Sequence, residues 1–80
     1  FNPSTRIQYS LPKAGLVQIS IYTLMGQKIA TLVNRNMNAG TYMITWNGMD
    51  DFGNTVGAGV YIYQLRSDQY FKAKKMIFLK

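Results

Sequence analysis

The sequence predicts an all-β chain, an immunoglobulin-like antiparallel β-sandwich of six to seven strands. Three observations carry that prediction. Short segments alternate apolar and polar residues at a period of two, the mark of half-buried strands. Clusters of Gly, Asn, Asp and Pro separate these segments at spacings of roughly 8–12 residues, as in sandwiches and barrels. No segment sustains a helical period. Eighty residues, 48% of them hydrophobic, make one domain, 1–80, and argue against disorder.

The first strand is expected over 5–11, with Ile7, Tyr9 and Leu11 on one face and Arg6, Gln8 and Ser10 on the other. Residues 1–5 read as a turn-like entry: Asn2-Pro3 and Ser4 disfavour regular structure, and the residue before Pro is pushed towards extended geometry. Pro12-Lys13-Ala14-Gly15 breaks the first strand with a turn. The second strand, 16–23, faces Val17, Ile19 and Ile21 inward. Gly26 suits a turn, and the apolar Leu24 and Met25 beside it are expected to cap one end of the core. The segment 28–33 resumes with Ile29, Thr31 and Val33 in phase. A helix over 24–33 is the alternative there, and β-branched content favours strand.

Asn34, Asn36, Asn38 and Gly40 predict a loop. A strand over 41–47 follows, with Tyr42, Ile44 and Trp46 on its core face. The stretch 47–58 then reads as a long turn, rich in Gly, Asn and Asp, with room for a short edge strand near 54–56. A strand over 59–67 brings Tyr61, Tyr63 and Leu65 to one face, because side chains alternate along a pleated backbone. A tight turn at 67–69 leads to the last strand, 70–80.

That last strand has two readings. Met76, Ile77, Phe78 and Leu79 run continuously, as in a strand buried on both faces. Lys72, Lys74 and Lys75 precede them, and lysines guard sheet edges against aggregation. Composition favours a guarded edge strand. The alternative is a segment gripped by another protein through added strand pairing.

Composition narrows the chemistry. A domain this small buries only about 60% of its unfolded surface, and without Cys it has no disulfide to reinforce a thin core. The net charge is +6, and five of the nine basic residues lie in 66–80 against Asp68 alone. Such charge favours anionic partners in general. There is no His and no Cys, and the three acids are Asp50, Asp51 and Asp68. Adjacent acids on a loop do not flank a cleft as paired catalytic carboxylates must. No enzymatic activity and no cofactor are expected. Asn47, Asp50, Asp51 and Asn54 are oxygen donors, but Ca²⁺ wants about 6–8 oxygens and turn formation explains these four better. Tyr22 and Tyr70 are the surface aromatics to consider for sugar stacking. The run 70–75 interleaves aromatics with lysines yet matches no nucleic-acid signature, so no nucleic-acid partner is expected. No apolar run is long enough to span a bilayer as a helix.

The chain also resembles known domains. Trp46, Asn47-Gly48, Asp50, Gly53-Asn54 and Gly59-Val60-Tyr61 occur in an order similar to that of flagellar hook-capping immunoglobulin-like domains. With Phe1-Asn2-Pro3-Ser4-Thr5, Leu24-Met25-Gly26-Gln27 and Lys74-Lys75-Met76 added, the motifs extend over almost the whole chain. They resemble more closely the type A C-terminal sorting domain of the type IX secretion system. That resemblance implies a non-catalytic secretion signal, cut from the C-terminal end of a longer secreted protein. Its implied partners are the outer-membrane secretion machinery, a sortase-like peptidase, an upstream cargo domain and anionic surface lipopolysaccharide. It implies a place at the cell surface or outside, reached through the periplasm and outer membrane. The recognition residues it implies are Gly59, Tyr61, Lys74, Lys75 and Lys80, and the continuous apolar run adds Met76, Ile77, Phe78 and Leu79 as a segment for added strand pairing. Two alternatives stand beside it: a structural module that caps a surface filament or self-associates through its last strand, and a polysaccharide-binding accessory module.

Overall fold

The computed structural model describes residues 5–68 and 70–79. Six strands follow one another: β1 (Thr5–Leu11), β2 (Gly15–Thr23), β3 (Lys28–Met37), β4 (Gly40–Trp46), β5 (Gly59–Ser67) and β6 (Phe71–Phe78). All pairings are antiparallel. β1 and β4 form a two-stranded sheet, and the other four strands form a sheet in the order β3-β2-β5-β6. The prediction of an immunoglobulin-like sandwich holds. The seventh strand near 54–56 is reduced to one isolated bridge, Met49 to Thr55.

The inner faces of the two sheets make the core. One cluster gathers Ile7, Ile21, Ala30, Trp46, Tyr63, Met76 and Phe78. The other gathers Tyr9, Leu11, Val17, Ile19, Val33 and Leu65. Eight of these thirteen are alternate residues of β1, β2 and β5, so period-two patterning does most of the folding work there. Trp46 is 1% exposed, with its ring centroid 5.1 Å from those of both Tyr61 and Phe78. Its indole Nε1–H, which would be costly to bury unpaired, donates to the Met49 carbonyl at 3.0 Å.

Three expectations change. β3 continues to Met37 rather than stopping at Val33, and Asn34 and Asn36 pair across to Gln18 and Leu16 instead of turning. The phase of β3 also differs. The β2–β3 ladder pairs Ile19 with Val33 but Ser20 with Thr31, and Ile21 with Ala30 but Tyr22 with Lys28. Leu32 and Ile29 are thus skipped, as in β-bulges, and burial falls on Ala30 and Val33 rather than on 29, 31 and 33. Finally, Leu24 and Met25 do not cap the core. Thr23 and Gln27 close a tight turn through Gly26, and Met25 at its tip is 97% exposed.

Candidate docking edge and the loop opposite

The four-stranded sheet has two outer edges, and the sequence finishes them differently. On the β3 side, the loop 47–58 folds back against the strand. Asp51 N–H donates to the Ile29 carbonyl at 3.0 Å, and Asp51 Oδ1 accepts from Thr31 N–H at 2.9 Å. One residue thereby satisfies two backbone groups on the bulged edge. Asp50 closes the loop itself: its Oδ1 accepts from Phe52 N–H and Asn54 N–H, both at 2.9 Å. Asn47 Oδ1 accepts from Met49 N–H at 3.3 Å. Three of the four side chains weighed as calcium ligands, Asn47, Asp50 and Asp51, therefore turn an oxygen towards backbone donors. Among the described residues no three His, Cys, Asp or Glu side chains gather as a metal site.

Gly48 anchors the same loop. Its φ is +78°, and a Cβ there would lie 2.1 Å from the Phe78 ring. Only glycine allows both the backbone conformation and the ring's approach. Tyr61 belongs to this construction as well. It packs edge-on against Trp46, and its hydroxyl donates to the Gly57 carbonyl at 2.6 Å. Tyr61, proposed from sequence as a recognition residue, thus fastens a loop to a strand, and Gly59 opens that strand beside it.

β6 finishes the other edge. It pairs with β5 and has no second neighbour among the described residues. This is the guarded-edge reading, not the strand buried on both faces. Residues 71–75 are exposed on both faces. Lys72 and Lys74 lie opposite Leu65 and Tyr63, on the inward-facing side. Lys75 lies opposite Ile62 on the outer side. The recognition residues named from sequence are therefore split. Met76 and Phe78 turn into the core, while Lys74, Lys75, Ile77 and Leu79 face solvent. Lys80 lies outside the described residues. Between β1 and β6 the sandwich opens into a space of about 350 Å³ whose walls include Arg6, Gln8, Lys72, Lys74 and Lys75. Sequence reasoning did not find Arg6, which joins this cluster only through the sandwich topology.

The tyrosines considered for sugar stacking do not meet. Tyr70 donates its hydroxyl to the Ser10 carbonyl at 2.6 Å, tying the β5–β6 turn to β1. Tyr22 sits on the outer face beside a shallow 120 Å³ depression with Gln18, Gln64 and Arg66.

Residues 3–69 match the family model described as the FlgD Ig-like domain. The chain belongs to that family. Two solved structures share its fold. The FlgD structure from P. aeruginosa has a TM-score of 0.72 at 21% identity, covering 95% of this chain and 59% of that one. The FlgD structure from Xanthomonas campestris, described as giving insights into the hook capping essential for flagellar assembly, has a TM-score of 0.73 at 24% identity, covering 96% of this chain and 56% of that one. The chain therefore spans less than two thirds of either protein. No curated protein sequence matches it.

This membership overturns the type IX sorting reading, and with it the secretion machinery, sortase-like peptidase, cargo and lipopolysaccharide as partners. The physical reason lies in the residues that carried the resemblance. Trp46 fills the core, Gly48 lies under Phe78, Asp50 closes the loop, Gly53 adopts a φ of +84° and Tyr61 packs on Trp46. Each is needed to build the sandwich, so the set marks the fold and does not distinguish the uses made of it.

Proposed function

We propose that this chain is a non-catalytic, immunoglobulin-like structural unit of a hook-capping protein, working at the cell surface or outside it. Membership of the FlgD Ig-like family is the observation that carries the reading. The site chemistry is consistent with it. The three carboxylates sit on loops and turns rather than around a cleft, and the exposed chemistry is a strand edge with cationic side chains. In this role the module contributes surface and rigidity to an assembly. The domain spans 1–80 as one unit of a longer chain.

Deletion of residues 5–79 from the parent protein in its host tests this. Electron microscopy should then show cells without completed hooks, and swimming should be lost. Hooks of normal length and full motility in the deletion strain would overturn the proposal.

A further inference from the structure

We propose that the free edge of β6 is a docking strand for an acidic, extended segment of a partner protein. The segment's backbone pairs with residues 71–75, and its carboxylates meet Lys72, Lys74 and Lys75. The inference goes beyond the hook-capping reading and does not depend on it.

Three observations carry it. The first is the backbone. An edge strand presents unpaired N–H and C=O groups, which another chain can extend as a further strand. β6 has such an edge, and 71–75 are open on both faces, so nothing described blocks an added strand. The β3 edge is not equivalent, because Asp51 already occupies part of it.

The second is charge. Lys72, Lys74 and Arg6 line the opening between β1 and β6, Lys75 stands at its rim on the outer side, and no carboxylate lines it. None of the four has an ion-pair partner among the described residues. The cluster is complementary to acidic side chains. It is not complementary to a second copy of itself: antiparallel pairing of two 71–75 segments sets lysines against lysines, and like charges across a ladder destabilise it.

The third is spacing. Lys72 and Lys74 lie on one face, two residues apart, so their stems are separated by about 6.8 Å along the strand. An added strand repeats its same-face side chains at that interval. The edge therefore suits an acid-x-acid pattern on the inward side, with Lys75 available to an acid on the other face.

The test is a titration of the ¹⁵N-labelled chain with the blocked peptide (Glu-Thr)₄, read by NMR. Amide shifts and slowed amide exchange should be confined to 71–75 and their β5 partners. The peptide N-methylated at every residue, which has no N–H to give an added strand, and (Lys-Thr)₄ should fail to bind. K72E/K74E should weaken the acidic peptide by at least about tenfold, since each exposed pair is worth a few-fold. K13E, a charge reversal in the exposed turn before β2, should leave it unchanged. If K72E/K74E does not fold, K72T/K74T serves in its place. Equal binding of the N-methylated peptide or of polyphosphate would overturn the proposal in favour of plain polyanion attraction. So would a dimer with protected 71–75 amides in the absence of peptide, which would assign the edge to a second copy. No binding at millimolar peptide would overturn it outright.

Discussion

The two edges of the four-stranded sheet solve one problem by different means. A bare edge invites uncontrolled pairing with other chains. At β3, two bulges bend the strand and Asp51 takes up a donor and an acceptor of its backbone. At β6, the backbone stays open and lysines on both faces discourage a neighbour. The first device consumes the edge. The second only selects who can use it, because a partner of opposite charge meets attraction where most chains meet repulsion. A sheet finished in this way has one side for structure and one side for company.

The comparison can be broken at the point where the two sides meet. Gly48 starts the loop that covers β3, and it rests on Phe78 from the β6 side. Gly48→Ala forces a Cβ into that ring at a positive φ and should cost about 3 kcal/mol. Urea unfolding should show the loss, and a variant of unchanged midpoint would mean the loop does not depend on this contact. Asp51→Ala strips the β3 edge of its cover. The expected cost is about 1–2 kcal/mol, because Thr31 N–H loses its acceptor. Hydrogen exchange should find the Thr31 amide faster while the β6 amides keep their rates; uniform acceleration would count against a local role.

A third prediction concerns the end of β3. The Tyr9 hydroxyl donates to Met37 Sδ at 3.4 Å. Burial pushes its pKa above the usual 10.0, Arg35 opposes the shift, and Tyr42 and Tyr70 add to it. A raised pKa in the folded state means that the unfolded chain gives up this proton first. The stabilising effect is present in full below pH 10.0 and is lost as pH rises through the folded value. Alkaline unfolding curves of Tyr9→Phe should therefore fall less steeply above that pH than those of the parent chain. Identical slopes would assign the alkaline loss to other groups. The smallest thermodynamic effect belongs to β6: K72T/K74T should change stability by no more than about 0.5 kcal/mol. Its consequence should appear in light scattering instead, as faster aggregation of the concentrated protein. Unaltered scattering would show that the lysines do not guard the edge.

Much of this architecture was legible in the residues. Val17, Ile19 and Ile21, or Ile7, Tyr9 and Leu11, announce their faces by simple alternation, and the structure buries them as expected. β3 was misread because a bulge leaves no residue signature there: Leu32 and Ile29 are ordinary strand formers that the ladder skips. Asn34 and Asn36 favour turns locally, but pairing with β2 outweighs that preference. The apolar character of Leu24 and Met25 predicts a cap on one end of the core, whereas a four-residue turn between two paired strands has to project its tip into solvent. At the candidate site, the lysines of the last strand were visible as an edge signal. Arg6 was not, since it lies some seventy residues away in the chain and reaches them only when β1 comes to lie across the opening from β6.

Phe78 has one further consequence. Its ring is 1% exposed and fills the space beneath Gly48 and beside Trp46. Any fragment that stops short of position 78 leaves a ring-sized hole next to the largest side chain in the interior. A nascent polypeptide still held back at that position cannot finish its packing, however complete its other five strands are. Acquisition of the native state is thus deferred until β6 has emerged in full.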